Sequence, residues 1–131
     1  MSRFVICLAL AALLAFAAQK ARAARDLETS AAGSSRLELV VFEVPGCIYC
    51  PVFRRDVLPR YEASPRAREV PIRFLDLNDE ATDRLELDGP VVVAPTVVLL
   101  KDNREIGRIP GYVGPENFFH AVGHLLARAP E

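Results

Sequence analysis

Tryptophan is absent from the sequence, methionine occurs once, as the first residue, and histidine only twice. Cysteine occurs three times, too few for a disulfide-stapled scaffold or a four-cysteine metal site. Charge of either sign is not in excess: 16 basic residues face 17 acidic ones, a net charge of -1. That balance offers no electrostatic footprint for nucleic acid or an anionic membrane, and no nucleic-acid partner is expected. Internal repeats are also lacking. At 131 residues the chain has room for one compact domain and not two.

What is present begins with a hydrophobic N-terminus. Arg3 precedes an uncharged apolar run from Phe4 to Ala18, and Ala21-Arg22-Ala23 has the small-x-small form of a cleavage site. Residues 1–23 are expected to be a secretory signal peptide, because the run is short of the ~20 apolar residues of a permanent span. An uncleaved anchor would leave the domain in the same compartment, so an exported, periplasmic location is expected in either case. Cleavage removes Arg3, Lys20 and Arg22, taking the net charge to -4, and removes Cys7. Cys47 and Cys50 then stand alone. A four-residue loop constrains little of the chain, so the pair is expected to be chemistry rather than staple. Residues 24–36, rich in Ala, Ser, Thr and Gly, are expected to be a flexible N-terminal segment ahead of a domain over 37–131.

Within that domain, Leu37 to Val44 predicts a buried strand ended by Pro45-Gly46. Val52 to Tyr61 predicts a helix with Phe53, Val57 and Tyr61 on one face, kinked or shortened by Pro59 and closed by Ser64-Pro65. Val70 to Leu77 predicts a second strand, Asp79 to Leu87 a short charged helix, and Thr96 to Leu100 an apolar third strand. Lys101-Asp102-Asn103-Arg104 predicts a hairpin into a fourth strand, Glu105 to Ile109, and Pro115 opens a last helix to about Arg128. The order β-α-β-α-β-β-α implies a parallel first pair, an antiparallel last pair, and a mixed four-stranded sheet with helices on both faces.

The chemistry centres on Cys47-Ile48-Tyr49-Cys50. A dithiol switch needs two sulfurs within bridging distance and an attacking sulfur that is partly thiolate. Placement at a helix start supplies both, since free backbone N–H groups there favour the thiolate. Cys47 is expected to be the exposed nucleophile and Cys50 the resolving thiol. Tyr49 is expected to flank the site. A C-x-x-C pair also serves metals, and His120 and His124, four apart on the last helix, are the candidates to complete such a set. The inferred fold carries that helix away from the cysteine turn, so no metal site is expected.

Pro95 stands 45 residues after Cys50, at the entry of an apolar strand, where it removes a ladder donor. A trans proline at a strand's first residue is one reading. A cis Ala94-Pro95 bond is the other, and it would expose a backbone edge beside the cysteines where a substrate chain pairs as an extra strand.

Pro-Gly-Cys47-Ile-Tyr-Cys50-Pro after a strand, then Val-Ala-Pro95-Thr-Val-Val-Leu-Leu, then a hairpin with Gly107 and a Gly111-Tyr112 stretch, together resemble the thioredoxin superfamily over residues 37–129. Leu-Asp-Leu-Asn-Asp at 75–79 and Arg-Glu-Ile-Gly-Arg-Ile-Pro-Gly-Tyr at 104–112 are similar to the short exported thioredoxins of the SoxS and SoxW kind, linked to bacterial sulfur oxidation. The resemblance implies an α/β thioredoxin-like fold, a nucleophile at Cys47, a resolving thiol at Cys50 and a substrate-contacting cis proline at Pro95. Thioredoxins carry Gly-Pro between the cysteines and a buried Asp six residues before the first; here Ile48-Tyr49 and Val41 hold those places. Glu43 leaves the same sheet face as Val41, either as a substitute proton-transfer base or as a solvated carboxylate. Tyr112 either packs near the Pro95 loop or fills the core. Arg54 and Arg55 are expected to be a solvated helix face, from which either would slightly favour the thiolate.

The function expected is an exported thiol–disulfide oxidoreductase without cofactor. Lacking a His or cation in the dipeptide, it is expected to reduce rather than insert disulfides. Its partners would be a disulfide-bearing protein substrate and a membrane-embedded thiol electron donor, and the protein a monomer. The alternative is a soft-metal, copper-type chaperone using the same two sulfurs.

Overall fold

The apolar run of the first strand forms an inner strand of the sheet. Leu39, Val40, Val41 and Phe42 are all fully buried within β1 (Leu37–Glu43), so both faces of this strand are covered. The computed structural model describes residues 36–130; the expected signal peptide, and all but the last residue of the expected tether, lie outside the described residues. β1 pairs in parallel with β2 (Ile72–Asp76) and antiparallel with β3 (Thr96–Lys101), which pairs antiparallel with β4 (Arg104–Pro110). The sheet order is β2-β1-β3-β4. The β3–β4 hairpin turns on Asp102 and Asn103, both at positive φ, a conformation that Asp and Asn tolerate well.

One face of the sheet carries the four α-helices of the described residues: α1 (Cys50–Asp56), α2 (Leu58–Glu62), α3 (Arg66–Glu69) and α4 (Pro115–Arg128). The single helix expected over 52–61 is divided at Val57. Pro59 has no N–H to give the carbonyl four residues back, so the first helix stops and a second starts with Pro59 in its first turn. The spacing of Phe53, Val57 and Tyr61 survives the break, and all three are buried. α2 ends at Glu62, ahead of Ser64-Pro65 as expected, and Pro65 then opens the short α3. In α4, Phe118, Val122 and Leu125 bury a stripe against β3 and β4. Close approach there requires a glycine: a Cβ on Gly107 would lie 2.7 Å from Leu125 Cδ2. Phe118 meets Phe53 edge-on at 5.3 Å and Tyr61 at 6.1 Å between ring centroids. The Tyr61 hydroxyl donates to the Val70 carbonyl at 2.6 Å, and burial pushes its pKa up to about 12.

The other face holds Val40, Phe42, Leu75, Val98 and Leu100. The helix expected over 79–87 is a 3-10 turn at Thr82–Arg84 followed by extended chain. Local hydrogen bonds explain the difference. Asp76 accepts from the Asn78 N–H and Asp79 from the Ala81 N–H, each at 2.8 Å, which competes with helix formation. Leu85 and Leu87, two residues apart, both reach this core, which extended backbone permits and a helix does not. Helices therefore flank the sheet on one side, and an irregular segment covers the second.

That segment is tied down by an ion pair whose carboxylate is buried. Glu105 is 7% exposed and receives Arg108 through two hydrogen bonds of 2.6 Å, and the Asp88 N–H at 3.0 Å. Burial raises the Glu105 carboxyl pKa, but Arg108 and the Asp88 N–H outweigh it and hold the group below its ordinary value. A carboxyl depressed in the folded state adds stability that is complete above its unfolded pKa and lost as pH falls through the folded one. Glu105→Gln is therefore expected to flatten the loss of stability below pH ~4.5, measured as denaturation midpoint against pH. An unchanged acid limb would contradict this assignment.

Candidate active site

β1 delivers its C-terminal end to a tight turn, Val44 to Cys47, in which Gly46 takes φ 80° and the Cys47 N–H returns to the Val44 carbonyl at 3.2 Å. This turn places Cys47 just before α1 and Cys50 as its first residue. The two sulfurs are joined as a disulfide across a Cα–Cα distance of 5.5 Å. Cys47 is half-buried, whereas Cys50 is only 6% exposed. The Cys50 N–H points at the Cys47 Sγ at 3.2 Å, a donor that favours negative charge on that sulfur.

Sheet register brings the Pro95 loop to the same end. Phe42 pairs with Thr96, and Thr96 pairs with Pro110, so the chain leaving β1, entering β3 and leaving β4 converges here. The Ala94–Pro95 bond is cis; Ala94 is half-buried and Pro95 buried. Among the described residues, all five large apolar side chains that are exposed belong to these loops: Ile48, Tyr49, Val92, Val93 and Val113. Val92 is the most open, at 86%. Tyr49 stacks on Tyr112 at 6.1 Å, and the Tyr112 hydroxyl donates to Asp56 at 3.2 Å. Tyr112 thus packs on the active-site dipeptide itself. Burial, then the Asp56 hydrogen bond, raise its phenol pKa, while Arg55 holds the Asp56 carboxyl below its ordinary value.

The two arginines of α1 are committed to acids. Arg54 forms a two-pronged pair with Glu43, at 3.0 and 2.6 Å, and lies 3.6 Å over the Phe74 ring. Arg55 grips Asp56. Glu43 is therefore not a lone carboxylate; it holds Arg54. Sequence spacing could not reveal this pair, since the two residues lie 11 apart on different elements. His120 and His124 are exposed on α4 with their rings 4.5 Å apart. Among the described residues no three His, Cys, Asp or Glu side chains gather as a metal-binding group. Nor, among them, is any helix long and apolar enough to cross a membrane.

A family model for a thioredoxin-like domain matches residues 24–126. Among solved structures, the periplasmic thioredoxin SoxS from Paracoccus pantotrophus, in its reduced form, is 35% identical with a TM-score of 0.68, over 72% of this chain and all of that one. Fasciola hepatica thioredoxin is 27% identical with a TM-score of 0.51, over 77% of this chain and 92% of that one. The Malassezia sympodialis thioredoxin Mala s 13 shares the fold at 18% identity and a TM-score of 0.57, over 74% of this chain and 79% of that one. A search of curated protein sequences gave no match. With the family match spanning most of its length and a cysteine pair closed at the head of α1, the chain belongs to the thioredoxin-like family of thiol–disulfide oxidoreductases.

Proposed function

We propose that this protein is an exported reductant of disulfides on partner proteins. The observation that carries the reading is the asymmetry of the pair: a half-buried Cys47 whose sulfur receives a backbone N–H, over a buried Cys50. In the reduced protein the Cys47 thiolate attacks one sulfur of a partner disulfide. A Cys47–partner bond forms, the partner's S–S bond breaks, and its second sulfur leaves as thiolate. Cys50 then gives up its proton and attacks the Cys47 Sγ. The internal disulfide forms, and the partner's first sulfur is released. Two electrons pass to the partner, whose thiolates take up protons.

The apolar rim of Ile48, Tyr49, Val92 and Val93 is suited to an unfolded or extended substrate segment, and the Ala94-Pro95 backbone offers it an edge for strand-like pairing. Glu43 is assigned to fixing Arg54 rather than to proton transfer. Pairing of Arg54 with Glu43 and of Arg55 with Asp56 leaves neither guanidinium free to stabilise a thiolate strongly, which supports the reducing direction. Periplasmic location is supported by the SoxS neighbour and the N-terminal sequence, and bacterial sulfur oxidation by the resemblance to SoxS and SoxW proteins. In an oxidising compartment the pair needs recharging, so a membrane-embedded thiol donor belongs to the reading, with the protein working as a monomer.

Trapping tests it. Cys50→Ser protein mixed with insulin as disulfide substrate is expected to accumulate a covalent adduct that dithiothreitol releases. Absence of an adduct, or an adduct that persists when Cys47 is also replaced by Ser, would overturn the reading. Stoichiometric Cu(I) binding by a reduced protein without disulfide-reducing activity would instead favour the copper-chaperone alternative.

A further inference from the structure

Arg108 does more than neutralise Glu105. Its guanidinium also donates to the Pro90 carbonyl and the Gly89 carbonyl, each at 3.0 Å, while Glu105 takes the Asp88 N–H. Three consecutive residues of backbone, 88–90, are thus held by one ion pair projecting from β4. Beyond them the chain is fixed once more at its far end, where the Thr96 hydroxyl donates to the Val93 carbonyl at 2.7 Å. Between these anchors lie Val91, packed on the second core, then exposed Val92 and Val93, then the cis bond.

We propose that Glu105 and Arg108 are positioning residues that hold the Val92–Pro95 segment in its substrate-accepting shape from the sheet face away from the helices. The inference rests on the reading of that segment as a substrate edge. Geometry favours a positioning role over a simple surface pair. Arg108 is only 23% exposed and Glu105 2% at the side chain, and the guanidinium spends its donors on loop carbonyls as well as on the carboxylate. Their placement on one face is itself constructed. Residues three apart on a regular strand point to opposite faces, but the register shifts here: Leu100 pairs with Glu105 and Leu99 with Gly107. Ile106 is the extra residue of a bulge that turns Glu105 to the side of Arg108.

Because the pair touches neither cysteine, its loss should weaken capture of a protein chain and spare attack on a small disulfide. The test compares wild type with Glu105→Gln and Arg108→Lys. Insulin serves as the protein disulfide and 5,5′-dithiobis(2-nitrobenzoate) as a small one that needs no backbone edge. Expected is a rise in KM for insulin of about five- to tenfold with kcat held, as for loss of binding remote from the chemistry. The rate with the small disulfide and the pH profile of Cys47 alkylation should not move. An insulin KM within twofold of wild type would overturn the proposal. So would a parallel fall with both substrates, or a shifted alkylation profile. If Glu105→Gln fails to fold, Arg108→Lys, which keeps a cation against Glu105, carries the test. Wild type inactive on both substrates would refute the underlying oxidoreductant reading, and the proposal with it.

Discussion

Cys47→Ser is expected to lower the rate of insulin-disulfide reduction by at least ~1,000-fold, because a serine hydroxyl at neutral pH cannot replace a thiolate nucleophile. The reduced variant should melt close to reduced wild type, since Cys47 is a turn residue outside both cores. The two cysteines should also differ in reactivity. Cys50 is 6% exposed, so Cys47→Ser protein should alkylate slowly with iodoacetamide, whereas Cys50→Ser protein should alkylate quickly at the Cys47 sulfur, which the backbone N–H of residue 50 still faces. Equal alkylation rates in the two variants, or substantial insulin reduction by Cys47→Ser, would contradict the assignment of attacking and resolving sulfurs.

Phe118→Ala is expected to be the most damaging core truncation. The ring is 2% exposed and sits between Phe53, Tyr61 and Phe119, with centroids at 5.3, 6.1 and 5.4 Å. Removing it loses the buried area, opens a cavity that helices on both sides prevent from collapsing, and breaks three edge-on ring contacts. Such truncations cost about 3–5 kcal/mol. For a domain of this size each kcal/mol moves Tm by roughly 4–8 °C, so a fall of about 12–40 °C is expected in a thermal melt. Phe119, half-buried and stacked outside Tyr61, should tolerate alanine far better. A Phe118→Ala melt within 5 °C of wild type, or one no lower than Phe119→Ala, would show that the aromatic cluster is not the keystone of this face.

What could be read from the residues and what could not divides along a physical line. β1, the cysteine turn, the β3–β4 hairpin and α4 were legible because each is written locally: an aliphatic run, a Pro-Gly stop, an Asp-Asn turn, a stripe at helical spacing. The division of the first helix at Val57 was half legible, since Pro59 announces a fault but not whether the chain bends or restarts. The segment 79–87 misled because its charge and length suit a helix, while Asp side chains capture the N–H groups and the sheet face asks for Leu85 and Leu87 at a spacing of two. Glu43–Arg54 and Glu105–Arg108 were invisible for different reasons. The first pair joins separate elements across the turn. The second depends on a bulge, and strict alternation places its members on opposite faces. Tyr112 packs against the helix-side core, one of the two readings its sequence position allows, and also stacks on Tyr49, a contact no local pattern announces.

The chemistry of the Cys47–Cys50 pair is sharpest in its reduction potential. Ile48 and Tyr49 bring no charge between the sulfurs, and Arg54 and Arg55 are each held by an acid, so the reduced form has little extra stabilisation beyond the Cys50 N–H. Equilibrating the purified protein against glutathione redox buffers, with the thiol state read by alkylation and mass shift, measures that balance directly. A potential below about −220 mV, toward the −270 mV of thioredoxin, is the result expected of a reductant. A value near −120 mV, as in the strong oxidant DsbA, would mean the pair donates disulfides, and would contradict the account at its centre.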